Sequence, residues 1–199
     1  MNKREKILSI SDISTLTWIN PILFISHAKL EGDFSHIEAT ETIAEDRSAY
    51  TDDEKLLVQY IQSAVSFVEG KLDFDLQEKQ YQEFFEPYYK VETRRDIKTT
   101  DGSLSVEVSF NDEIIPTEDI KIVDNVIFIK EIDEEGDTDG GNYVKVIYTV
   151  ETRIPYPDIL QAILMVFTQV YENRGDCTGE LCGCSGAIEI LNKYRTPLC

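Results

Sequence analysis

The sequence predicts an α+β fold: a small helical bundle with an inserted antiparallel β unit of about four strands. Three observations predict it. Apolar residues recur at helical spacing over 52–70 and again after residue 157, they alternate with a period of two between 81 and 150, and turn-forming residues separate the two regimes. With 199 residues and 42% apolar content, the chain can bury the core of one domain carrying a sizeable insertion.

Residues 1–50 read as an N-terminal extension, partly helical or loop, with a helix through 18–30 and a polar loop at 46–50. The domain proper covers 51–199. Thr51 and Glu54 have capping-box spacing, so their side chains can satisfy amides that open a helix. Behind them Leu57, Ile61, Ala64, Val68 and Leu72 fall on one stripe, which predicts a helix over about 52–70 ending near Gly70. In the β insertion, about 81–150, residues 104–110 alternate apolar and polar, giving a strand with one buried face. Ile120–Val123 and Val126–Ile129 flank Asp124-Asn125, a two-residue hairpin signal. A further strand over 143–150 puts Val144, Val146, Tyr148 and Val150 on one side.

Helices return at about 157–174 and 185–195. Pro157 suits the first helical position, Asp158 complements the positive helix end, and Arg174 with Gly175 closes the helix. The run 159–171 is apolar nearly all round, so it needs cover on several sides, from its own domain or from a neighbouring subunit. Ser185 can cap the last helix, which turns Ile188, Leu191 and Tyr194 inward before Thr196-Pro197 stops it.

Charge is the extreme property. Nineteen Lys and Arg against 38 Asp and Glu leave −19, with a pI near 4.4. Such a surface repels nucleic-acid phosphates and anionic membranes, though it could line a passage through which DNA slides; solubility alone is the competing account. A basic start at Lys3, Arg4 and Lys6 is followed by an apolar run broken at Asn20 and Pro21, with no small-residue cleavage site. The run 159–167 is too short to span a bilayer, so a soluble protein without a membrane partner is expected.

Nothing in the pattern calls for catalysis or a cofactor. His27 and His36 lie far from the cysteines, so no nucleophile and base can be paired, and no phosphate-cradling loop is present. Cys177, Cys182, Cys184 and Cys199 lack the paired knuckles of zinc ribbons; free thiols in a reducing compartment are favoured over a four-thiolate zinc site. The acidic stretch 133–140 matches only the first half of a calcium loop, with Val146 where the bidentate Glu belongs, and reads as a solvated hairpin loop.

The order Val-rich strand, Ile154-Pro155, the Ala162-Ile163-Leu164 core, Tyr171-Glu172-Asn173-Arg174 and a last helix closing in Leu191 to Arg195 resembles the head-tail connector (adaptor) proteins of tailed bacteriophages. The first long helix, from Asp52-Asp53-Glu54 to Val68-Glu69, is also similar, so the likeness covers about 51–195. It departs from the family in the Cys- and Gly-rich loop before the last helix and in the length of residues 1–50.

The resemblance implies a non-enzymatic virion protein, assembled in the host cytoplasm as a homo-oligomeric ring of about a dozen copies. That ring would dock beneath the portal protein and extend the DNA channel toward the tail or further neck proteins, contacting DNA weakly if at all. Subunit-contact candidates are Leu160, Ile163, Leu164, Phe167, Tyr171, Arg174, Tyr194 and Arg195. Channel-facing acids are expected at Asp133, Glu134, Glu135, Asp137 and Asp139, with Asp52, Asp53 and Glu54 as further exposed candidates. The competing function is an acidic regulatory protein that mimics DNA and blocks a nucleic-acid-binding partner.

Overall fold

Sequence periodicity becomes fifteen helices and strands in the computed structural model, which describes residues 5–72, 74–86, 89–100, 103–123, 125–130, 142–150, 152–173 and 185–194. In chain order these are β1 (Glu5–Ile10), α1 (Pro21–Ala28), α2 (Ser35–Thr40), α3 (Asp52–Glu69), β2 (Lys79–Phe85), β3 (Lys90–Glu92), β4 (Thr99–Thr100) and β5 (Ser103–Leu104). There follow β6 (Val106–Phe110), β7 (Glu113–Ile114), β8 (Ile120–Val123), β9 (Val126–Ile129), β10 (Val144–Thr149), α4 (Pro157–Glu172) and α5 (Ser185–Leu191). The fold is α+β, in two compact units: residues 12–77 with 153–199, and residues 1–11 with 78–152.

The helical unit is built on α3 and α4. Thr51 and Glu54 form the predicted capping box at the start of α3, and Leu57, Ile61, Ala64, Val65 and Val68 make its buried stripe. Pro157 opens α4, where its missing amide is no loss. Ile159, Ala162, Ile163, Leu164, Val166 and Phe167 are all buried in the same core as the α3 stripe and the last-helix residues Ala187 and Leu191. Phe167 meets Phe24 of α1 edge to face at 5.1 Å, and Tyr171 meets Tyr60 of α3 at 5.7 Å. The apolar circumference of α4 is therefore filled from within its own unit. The 18–30 helix is shorter than expected, because Asn20 caps it immediately before Pro21 and Lys29 ends it in a left-handed conformation at φ 50°.

The β unit contains more strands than the four that alternation predicts. Its main sheet runs β1-β2-β10-β6-β7, with all neighbouring strands antiparallel, and an antiparallel three-stranded sheet runs β3-β9-β8. Strand β10 is central: Val144, Val146 and Tyr148 are buried and lie opposite Phe85, Glu83 and Tyr81 of β2. Strands β8 and β9 pair antiparallel as predicted, with Val123 opposite Val126, while Asp124 lies outside the described residues. A second tight turn joins β6 to β7, where Asn111 and Asp112 both take positive φ, 47° and 69°. Glu83 is buried within the sheet and accepts hydrogen bonds from the Tyr148 hydroxyl and the Arg94 amide. Burial, followed by that bond to Glu83, raises the Tyr148 phenol well above the usual tyrosine range.

The N-terminal segment is not a separate extension in this arrangement. Strand β1 pairs with β2, placing residues 5–10 in the β unit, whereas 12–50 contribute Ile13, Leu16, Ile19, Phe24, Phe34, Ile37, Ile43 and Tyr50 to the helical core.

Candidate interaction surfaces

The capping-box acid Glu54 holds a larger construction than one helix end. Its side chain is fully buried, and its carboxylate accepts from the amides of His36 at 2.7 Å, Ile37 at 2.9 Å and Thr51 at 2.9 Å. The His36 ring nitrogen Nδ1 lies 3.0 Å from the second oxygen. Helix α2 has no side-chain cap of its own, so one carboxylate closes the first turns of both α2 and α3. Burial pushes this carboxyl up, but the amides of Ile37, Thr51 and His36 together outweigh it and hold the group below its ordinary 4.5.

Neighbouring carboxylates fix the rest of this corner. Asp53 accepts the Asp33 amide at 3.0 Å, and a Cβ on Gly32 would approach the same Asp53 oxygen to 2.8 Å, so a side chain there would displace this carboxylate. The Ser48 amide donates to Asp46 and lowers its carboxyl below the usual value. Residues 31–53 thus display eight exposed carboxylates on a hydrogen-bonded frame. Their one described ion pair is Lys55 with Asp52 at 3.7 Å, while Arg47, the segment's single arginine, is bound to Asp12.

A surface of opposite character lies on the three-stranded sheet. Cross-strand register aligns Lys90, Phe128 and Lys121 in one row, with Glu92, Val126 and Val123 in the next on the same face. The opposite face, Val91, Ile127 and Ile122, packs into the β core. Phe128 is 39% exposed, with the Lys90 ammonium 5.9 Å from its ring centroid, and Lys90 and Lys121 are both exposed.

Two apolar surfaces complete the picture. In the helical unit Ile154 is 77% and Tyr156 60% exposed. The Tyr156 ring stacks on Tyr194 at 5.5 Å, and the Tyr194 hydroxyl donates to Asp158 at 2.6 Å, which pushes that phenol up to about 12. In the β unit, β1 is an edge strand whose Ile7, Leu8 and Ile10 remain exposed around a bulge between Ile7 and Ser9.

The contact candidates divide accordingly. Ile163, Leu164 and Phe167 are buried in their own unit; Leu160 and Tyr171 are half-buried; Tyr194 retains surface in the aromatic stack. Glu54, expected on an exposed helix start, is instead buried, because its carboxylate is consumed by four donors. Asp52 and Asp53 are exposed as expected. Arg174 and Arg195 lie outside the described residues, as do Asp133, Glu134, Glu135, Asp137 and Asp139, the 133–140 calcium pattern and all four cysteines. Among the described residues no group of three or more His, Cys, Asp or Glu side chains is placed to hold a metal ion, and no helix is long and apolar enough to cross a membrane. The Lys90–Phe128–Lys121 row was missed because its residues are far apart in sequence; the period-two pattern of 120–123 and 126–129 was the available signal.

No protein-family model matches the chain, and no curated protein does. Solved structures share its fold over nearly the full length. A chain in the structure "Neck of empty GTA particle computed with C6 symmetry" superposes with a TM-score of 0.59 at 15% identity, covering 97% of this chain and 95% of that one. A chain in "Virion of native gene transfer agent (GTA) particle" gives 0.55 at 15% identity, covering 96% and 95%. At that identity the likeness is one of fold, and it agrees with the connector-like order of strands and helices noted in the sequence.

Proposed function

We propose that this chain is a structural neck subunit of a tailed, phage-like particle. It forms a closed homo-oligomeric ring that docks beneath the portal and extends the DNA channel toward the tail. The carrying observation is the fold shared end to end with a chain of a gene transfer agent neck, 97% of one and 95% of the other. A match of that extent includes both the helical and the β unit, so it rests on more than one common motif. The subunit acts by contact and not by catalysis, residing in the virion after assembly in the host cytoplasm. Its −19 charge suits a wall past which DNA moves without sticking, since like charge removes the phosphate attraction that sustains non-specific binding.

The test is location. Particles purified from producing cells and imaged by cryo-electron microscopy should show this chain as a ring at the junction of head and tail. Deleting its gene should leave DNA-filled heads without tails. Absence of the chain from purified particles overturns the proposal.

A further inference from the structure

Copies carrying −19 each repel one another, so a ring of them needs a contact in which opposite charges meet. The chain carries two surfaces of the required kind. The 31–53 corner displays eight exposed carboxylates against one described ion pair. The outer face of the three-stranded sheet sets Lys90 and Lys121 either side of Phe128. Neither lysine has an ion-pair partner among the described residues, although the chain offers two acids for every base. Arg47, Lys55, Arg94, Lys98, Lys130 and Lys145 are each paired with an acid, whereas Lys6, Lys29, Lys71 and Lys193 share with Lys90 and Lys121 the lack of a described ion pair. What sets Lys90 and Lys121 apart is that they flank one exposed aromatic ring on one sheet face. Phe128 adds an aromatic anchor between the two lysines; in the next row Val126 and Val123 extend the apolar area, and Glu92 sets one exposed acid beside them, leaving the face with a net positive charge.

We propose that the Lys90–Phe128–Lys121 face of one copy docks on the acidic 31–53 corner of the next copy. The two patches are different surfaces of one chain, so the contact is heterologous, the type that closes into a ring when the rotation between copies allows. The hydrogen-bonded frame of the corner matters here: buried Glu54 ties its backbone together, and Asp53 and Asp46 are themselves held by backbone amides, so these two present charge with little ordering left to lose on contact. This rests on the ring reading above and assigns its interface.

The experiment uses charge exchange on the full chain. Variant one carries Lys90→Glu and Lys121→Glu; variant two carries Glu41→Lys and Glu45→Lys. All four positions are exposed, so circular dichroism and melting should match wild type. Size-exclusion chromatography with light scattering should show wild-type multimers. Each variant alone should associate about 100-fold more weakly, as expected when close interfacial charges are reversed. An equimolar mixture should reassemble, because an alternating ring places every reversed face on a reversed corner and every native face on a native corner. Carbodiimide cross-linking of mixed heavy- and light-isotope wild type should join peptides containing Lys90 or Lys121 to 31–53 peptides of the other isotope.

Variants that assemble like wild type overturn the interface while leaving the ring intact, as does a mixture of folded variants that fails to reassemble. Intact rings with lost DNA retention in the lysine variant would assign the face to nucleic acid and also overturn it. A wild type found as a single copy in particles and as a monomer in solution overturns the ring reading and this contact with it.

Discussion

Replacing Glu54 tests whether one buried carboxylate organises the acidic corner. In Glu54→Ala the amides of His36, Ile37 and Thr51 lose their acceptor together, and the His36 ring loses its partner. A buried donor left unmet costs about 1–3 kcal/mol, and since His36 and Thr51 retain some exposure, water can meet part of the loss. We expect about 3–5 kcal/mol of destabilisation of the helical unit, at the upper end for single substitutions. Glu54→Gln keeps one oxygen for His36 and Ile37 but turns an NH₂ group toward the Thr51 amide, so about 1–3 kcal/mol is expected.

Urea titration followed by circular dichroism measures both, with exposed Asp52→Asn as the control within about 0.5 kcal/mol of wild type. The acid limb supplies a second check. The folded carboxyl of Glu54 lies below its ordinary 4.5, so its contribution is present above that pH and is lost as pH falls through the folded value. Glu54→Gln should therefore be less sensitive to acid than wild type. Glu54→Ala with wild-type stability, or Glu54→Gln with an unchanged acid limb, would refute the account of the corner.

Three further outcomes follow from the packing. Phe167→Ala should cost about 3–5 kcal/mol in denaturant titration, because the ring is wholly buried against Phe24 and Tyr171, whereas half-buried Leu160→Ala should cost less. Asn111→Val should destabilise the β unit by about 1–3 kcal/mol, since a β-branched residue is strained at φ 47° and the Tyr143 amide loses its bond to the Asn111 side chain. Tyr194→Phe should remove a phenol that titrates near pH 12; in wild type the Tyr194–Asp158 bond is present below the ordinary value of 10 and is lost as pH rises through about 12, which ultraviolet absorbance titration reads directly.

Local signals in the sequence were read where a local cause made the structure. Thr51 with Glu54, Pro157 at the start of α4, the pairing of 120–123 with 126–129 and the alternation through Val144, Val146 and Tyr148 each act within a few residues, and each stands where expected. Strand β1 was illegible for two reasons: its bulge breaks the alternation of Ile7, Leu8 and Ile10, and its partner β2 is distant in sequence. Strand β2 also hides its inward face by placing Lys79 and Glu83 there beside Tyr81 and Phe85. Helix α2 has no cap nearby; its cap is Glu54, seventeen residues after Ile37. The all-round apolar surface of α4 was legible, but sequence alone left open whether its cover came from the same chain, which the burial of Ile163, Leu164 and Phe167 now supplies.

Salt offers a last prediction that separates the two uses a chain of this charge could make of it. If the acidic corner meets the next copy's lysines, attraction at that contact competes with general repulsion between copies of −19. Both are screened, but unequally. Exposed charges farther apart than a Debye length, about 8 Å at physiological ionic strength, lose nearly all of their interaction, whereas pairs brought into contact and partly desolvated are screened much less. Raising salt from about 0.01 M to 0.15 M, where the Debye length shortens from about 30 Å to 8 Å, should therefore strengthen wild-type association by removing the long-range repulsion first. The Lys90→Glu, Lys121→Glu variant has no attractive pair to preserve, so salt should relieve its repulsion without restoring wild-type multimers. Sedimentation velocity across that range distinguishes the cases: a wild type that dissociates steadily from the lowest salt upward would show attraction already dominating at long range, and the charge would have to be assigned to partner capture instead of to the wall of a passage.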